Sequence, residues 1–179
     1  MLGMTKQILS FLLLIVISNQ GYSQQLTAIT TLHNTIGETS GLIYLDDRLI
    51  THNDSGNEPA LYEIDTLTGN ITRKVFIRNA QNTDWEDICH DNNYIYIGDF
   101  GNNNGNRTDL KIFRLSISEY MNTPNDTVSV DTIHFSYSDQ TDFTSTQYAT
   151  NFDAEALISF GDSLFIFTKN WGDFRSNIY

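Results

Sequence analysis

Residues 83–104 read Thr83-Asp84-Trp85-Glu86-Asp87-Ile88-Cys89-His90, then Asp91-Asn92-Asn93, then Tyr94-Ile95-Tyr96-Ile97, and last Gly98-Asp99-Phe100-Gly101-Asn102-Asn103-Asn104. The two apolar blocks are short and rich in β-branched and aromatic side chains, and a polar Asp-Asn-Asn turn divides them. The stretch is an antiparallel strand pair with an acidic start and an Asp-x-Gly-Asn end. Weaker copies of the same unit stand before and after it.

Working outward, residues 41–44 form a strand, Asp46-Asp47 its turn and 48–51 the return. A loop at 52–59 leads to strands at 60–64 and 71–77, completing a four-stranded meander. A second set runs through 86–90, 94–97, 110–115 and 130–137, with inserts at 102–109 and 116–129. A third begins at 154–159, turns at Gly161-Asp162-Ser163 and returns through 164–168, and Asn177-Ile178-Tyr179 matches the third strands of the earlier sets. Glu38, Glu86 and Glu155 each stand at or just before a first strand, at intervals of 48 and 69 residues. Four strands in roughly 40–50 residues is the spacing of propeller blades.

The expected fold is therefore all-β, a partial β-propeller of about two and a half four-stranded antiparallel blades. The blades would occupy 36–82, 83–137 and 150–179 of a domain spanning 36–179. A propeller ring closes with roughly four to eight blades, so the sequence reads as the N-terminal fragment of a longer chain. A small β-sandwich of independent hairpins is the alternative, but it gives no reason for an acid at each first strand.

Composition bounds the function. Ten basic residues face 22 acidic ones for a formal charge of -12, which excludes nucleic acid and anionic membrane surfaces as partners and favours cations. The single cysteine, Cys89, cannot form an intrachain disulfide and reads as a small core residue. Lys6 precedes an apolar run at 8–17 that is shorter than the roughly 20 residues a membrane span needs. Residues 1–23 thus read as a signal peptide with small residues Gly21 and Ser23 before the cut. The mature chain would start near Gln24 with a short segment, 24–35, ahead of the propeller. An uncleaved anchor is the alternative. The expected location is secreted or cell-surface, or periplasmic, with no transmembrane span after cleavage.

Glu38-Thr39-Ser40-Gly41-Leu42, Asp84-Trp85-Glu86-Asp87-Ile88 and Asp153-Ala154-Glu155-Ala156-Leu157 resemble the repeated motifs of secreted bacterial β-propellers of the phytase-like (esterase-like) and SdiA-regulated families. The resemblance covers most of residues 36–179. It implies an exported or surface propeller, in some members phosphoesterase-like with calcium. No Arg or Lys cluster suited to several phosphates accompanies the motifs, which argues against phytase chemistry.

In a blade the start of the first strand and the end of the second lie on one face near the axis. Glu38, Glu86 and Glu155 would then share a rim with Asp54, Asp99 and Asn170. Oxygen donors converging without thiols or paired histidines suit a hard cation, with Ca²⁺ preferred, and Glu38, Asp54, Glu86, Asp99 and Glu155 are the candidate ligands. The competing reading has these acids bonding the N–H groups of neighbouring turns. Trp85 is a wedge between blades or a stacking platform, and Asn57 and Asn102 are candidate ligand contacts. The loop at 102–107 is a binding loop or a solvated one. His52 is a general base near the rim or a histidine bonded to a turn carbonyl. Two functions follow: a propeller that binds a ligand or partner with calcium at an acidic rim, and a calcium-dependent hydrolase of phosphoester, ester or lactone bonds.

Overall fold

The computed structural model describes residues 27–179. In chain order the strands are β1 (Thr39–Leu45), β2 (Arg48–Asn53), β3 (Ala60–Ile64), β4 (Ile71–Ile77), β5 (Trp85–His90), β6 (Tyr94–Asp99), β7 (Lys111–Ser116), β8 (Thr127–Val128), β9 (Asp131–His134), β10 (Ala154–Phe160) and β11 (Ser163–Thr168). A short helix, α1 (Ile117–Asn122), separates β7 from β8. The expected leader at 1–23, its cleavage before Gln24 and the anchor alternative lie outside the described residues. No described helix is long and apolar enough to cross a membrane.

The described residues are all-β in three open sheets. The first has the order β1-β2-β3-β4-β8, the second β5-β6-β7-β9 and the third β10-β11, where Ile178 adds an antiparallel bridge to Phe167. Neighbouring strands are antiparallel except β8, which runs parallel to β4. Local chemistry sets the hairpins. Asp46 and Asp47 both take positive φ, 46° and 61°, the pair of values that a two-residue turn matched to the strand twist requires. Asp91 Oδ1 accepts from the N–H groups of Asn93 and Tyr94, both at 2.7 Å, and so closes the β5–β6 turn with a side chain.

Two expectations need correction. The strand expected at 130–137 is confined to β9, and the insert expected at 116–129 is an ordered strap. Ser116 caps α1, and Ile117, Tyr120 and Met121 form an apolar i, i+3, i+4 stripe against the core. Tyr120 is fully buried and its hydroxyl donates to Glu63 Oε1 at 3.0 Å, while Arg73 Nη1 pairs with the same oxygen at 3.0 Å. The chain leaving the second sheet is thereby pinned to the first, where β8 extends the ladder beside β4.

Each interface between successive sheets is apolar. Ile43, Leu45, Ile50, Leu61, Val75 and Ile77 of the first sheet meet Trp85, Ile88, Ile95, Ile97, Phe113 and Leu115 of the second. On the far side of the second sheet, Tyr96, Phe100 and Ile112 meet Leu157 and Ile166 of the third. The second sheet is covered on both faces, so β6 is buried almost throughout instead of alternating. The sheets approach most closely along their first strands, with β5 between β1 and β10.

Candidate metal centre

Each first strand carries one bulge at the same place. Thr39, Trp85 and Ala154 pair with Asn53, Asp99 and Thr168, and past the irregularity Leu42, Ile88 and Leu157 pair with Thr51, Ile97 and Ile166. These registers superpose the three strand starts, with intervals of 46 and 69 residues between Thr39, Trp85 and Ala154. The residue before each is acidic: Glu38, Asp84 and Asp153. Its carbonyl accepts from the residue that follows the second strand, from Asp54 N at 2.8 Å, Phe100 N at 3.2 Å and Lys169 N at 2.7 Å. The bulge positions are Ser40, Glu86 and Glu155. A bulge turns its extra side chain out of the alternating pattern, and here it aims two glutamates at the acids of the strand starts.

The result is two overlapping groups of carboxylates. Oxygens of Asp54, Asp84 and Glu86 lie within 4.8 Å of one another, as do oxygens of Glu86, Asp153 and Glu155, so Glu86 belongs to both. Glu86 is only 9% exposed. Among the described residues no donor reaches its carboxylate; Ser40 Oγ instead donates to its backbone carbonyl, at 2.6 Å. Gly101 makes the approach of these acids feasible. A Cβ there would press on Glu86 Oε1 and Asp84 Oδ2, so glycine lets the two carboxylates close on the loop.

The electrostatics follow from crowding in a poorly hydrated place. Burial, reinforced by Glu155, Asp54, Asp84 and Asp153, pushes the Glu86 carboxyl up to about 9. Burial and the neighbouring Asp54 raise Asp84 to about 6, against the pull of Arg107. Asp153 and Glu155 are also raised, again by burial first. Without a cation Glu86 therefore holds a proton at neutral pH. Its donors are all oxygens, the set that hard cations such as calcium take, at about six to eight oxygens per ion.

Of the expected ligands, Asp54, Glu86 and Glu155 come together, and Asp84 and Asp153 join them without having been anticipated. Glu38 stands apart, its Oε2 accepting from Asn57 Nδ2 at 2.6 Å. Asp99 is fully buried and engaged by Arg107 Nη2 at 2.9 Å and Lys111 Nζ at 3.2 Å, which makes it an anchor for the loop that carries Gly101. Asn170 turns its Oδ1 to the Thr168 hydroxyl at 2.6 Å.

Trp85 has no exposed surface on which a ligand could stack. Its indole packs against His52 and Phe113 between the first two sheets, and Nε1 donates to the Gln81 carbonyl at 3.1 Å. Asn102 is buried as well: its N–H donates to Asp153 Oδ1 at 2.6 Å, its Nδ2 to the Phe152 carbonyl at 3.1 Å. It staples the loop at 102–107 to the third sheet, and further bonds from Thr146 N to Asn104 O and from Tyr148 N to Asn103 O complete that lacing. Asn57 closes its own loop through the Asp54 and Ser55 carbonyls. His52 is buried on β2 with Nδ1 bonded to the Asn53 carbonyl at 3.0 Å, and burial lowers its basicity. Burial likewise pushes the Cys89 thiol up to about 12, which leaves it unreactive at neutral pH.

The signal for Asp84 and Asp153 was present in the sequence. Aligning Glu38 with Asp84 and Asp153, in place of Glu86 and Glu155, gives the observed register. No protein-family model matches the chain, and no curated protein matches it.

Proposed function

We propose that the protein is an exported β-propeller whose acidic rim binds a hard divalent cation, calcium by its donor set, and which acts as a binding module. The closest approach of the three sheets along β1, β5 and β10 supports the propeller reading, since inner strands of successive blades lie side by side around an axis. Export rests on Lys6 and the apolar run at 8–17.

The single observation that carries the cation is Glu86: a nearly buried carboxylate, shared by two carboxylate groups and, among the described residues, reached by no donor. Three carboxylates supply part of a calcium shell, and the remaining positions fall to water or to oxygens of a ligand. Binding is favoured over hydrolysis because His52, the base expected near the rim, is buried and bonded to a backbone carbonyl.

The test is calorimetric titration of the intact protein with Ca²⁺, Mg²⁺ and Zn²⁺, run beside a panel of phosphoester, ester and lactone substrates. Calcium uptake that Glu86→Gln abolishes, with no turnover, is the expected result. Absence of calcium uptake would overturn the cation, and calcium-dependent turnover would overturn the binding assignment.

A further inference from the structure

Building on the cation reading above, we propose that the ion is confined to the half of the rim formed by Asp54, Asp84 and Glu86, because Lys169 serves as a tethered counter-ion for the half formed by Glu86, Asp153 and Glu155. The two halves have the same number of carboxylates and share one of them, yet their surroundings differ.

In the second half the acids are already engaged. Lys169 Nζ lies 2.6 Å from Glu155 Oε1, and the same ammonium stands 4.4 Å over the Trp171 ring, which holds it by cation–π attraction. Asp153 accepts at both oxygens, from Asn102 N at 2.6 Å and from Trp171 Nε1 at 2.7 Å. In the first half, among the described residues, no donor reaches the carboxylates of Asp84 or Glu86, and Asp54 accepts only from the adjoining Ser55 N–H, at 2.5 Å. The nearest guanidinium, on Arg107, is held by Asp99, Asp109 and the Gly101 carbonyl. A side chain at Gly101 would press first on Asp84 and Glu86.

The asymmetry is written into the repeat. Asp54 and Lys169 occupy the same position, each donating its backbone N–H to the carbonyl of the acid at the strand start, Glu38 for one and Asp153 for the other. One backbone position thus delivers a carboxylate to the first half and an ammonium to the second. An ammonium 2.6 Å from a carboxylate excludes a divalent ion from that oxygen by repulsion and by occupancy.

Calcium titration of the intact protein, with stoichiometry read by calorimetry and folding checked by circular dichroism and a calcium-free melt, tests the assignment in two variants. Wild type should take up one equivalent. Asp84→Asn should weaken that uptake at least tenfold while retaining the fold. Lys169→Gln, a substitution at a partly exposed side chain, should take up a second equivalent. Wild-type-like affinity in Asp84→Asn, or a single equivalent in Lys169→Gln, would overturn the assignment while leaving the rim cation standing. No uptake by the wild type would instead overturn the cation reading beneath it.

Discussion

Replacing Glu86 by Gln should stabilise the calcium-free protein at neutral pH, and calcium should erase most of that difference. In the cation-free protein burial and four neighbouring carboxylates hold the Glu86 proton up to about pH 9, whereas the unfolded chain releases it near 4.5. Between those values the folded state binds a proton that the unfolded state does not. Stability from this group is therefore unaffected below 4.5 and declines as the pH rises toward 9. At pH 7 the loss is set by the interval from 4.5 to 7, about 3 kcal/mol at roughly 1.36 kcal/mol per pH unit, wherever above 7 the folded value lies. Gln carries no such linkage. Urea unfolding of the intact protein in EDTA should find Glu86→Gln more stable than wild type by about 3 kcal/mol at pH 7 and equal to it near pH 4. With calcium at a hundredfold excess over Kd the wild type should gain about 2.7 kcal/mol and the variant little, which brings their stabilities close together. A Glu86→Gln protein that is less stable than wild type in EDTA at pH 7 would refute the reasoning, because it would show the carboxylate satisfied by donors in the folded state.

Gly101→Ala places a methyl against the movable ends of Glu86 and Asp84, so it should spread the two carboxylates and abolish the calcium-induced rise in melting temperature while changing the calcium-free melt little. Arg107→Ala leaves Asp99 fully buried with Lys111 as its remaining cation, and should cost about 3 kcal/mol in urea unfolding. Trp85→Ala empties a fully buried site between the first and second sheets and should cost about 3–5 kcal/mol by the same measurement, with calcium stoichiometry preserved in whatever fraction remains folded. Mass spectrometry of protein from its native host should find the mature chain starting near Gln24.

The hairpins were legible because their signals are local. Asp46-Asp47, Asp91-Asn92-Asn93 and Gly161-Asp162 mark turns by residue type, and the β-branched blocks between them mark strands. The strap at 116–129 was not legible, for two reasons that lie outside local pattern. Its helix is a turn and a half long, too short for a periodic stripe to stand out, and its docking depends on Tyr120 reaching Glu63, 57 residues away in sequence. The pairing of β8 with β4 is likewise a tertiary event. Thr127 and Val128 are β-branched, but a block of two residues is too short to mark a strand, and they take extended form because an edge is there to receive them.

The site was half legible, and the reason is the bulge. Reading by residue identity aligns Glu38 with Glu86 and Glu155, which share a side-chain type; reading by hydrogen-bond register aligns Glu38 with Asp84 and Asp153, which share a backbone position. The two readings differ by two residues, an even number that keeps side chains on the same face of a regular strand, so alternation alone could not tell them apart. What separates them is the extra residue at Ser40, Glu86 and Glu155, which a periodic pattern does not reveal. The same slip explains why Asp99 looked like a rim acid. By register it corresponds to Asn53 and Thr168, the last residues of second strands, both buried, whereas the rim position after them holds Asp54, Phe100 and Lys169. With that position filled by a carboxylate, an apolar ring and an ammonium in turn, the three sheets do not offer a cation the same donors, and the proposed ion's place follows the sheet that supplies the unpaired acid.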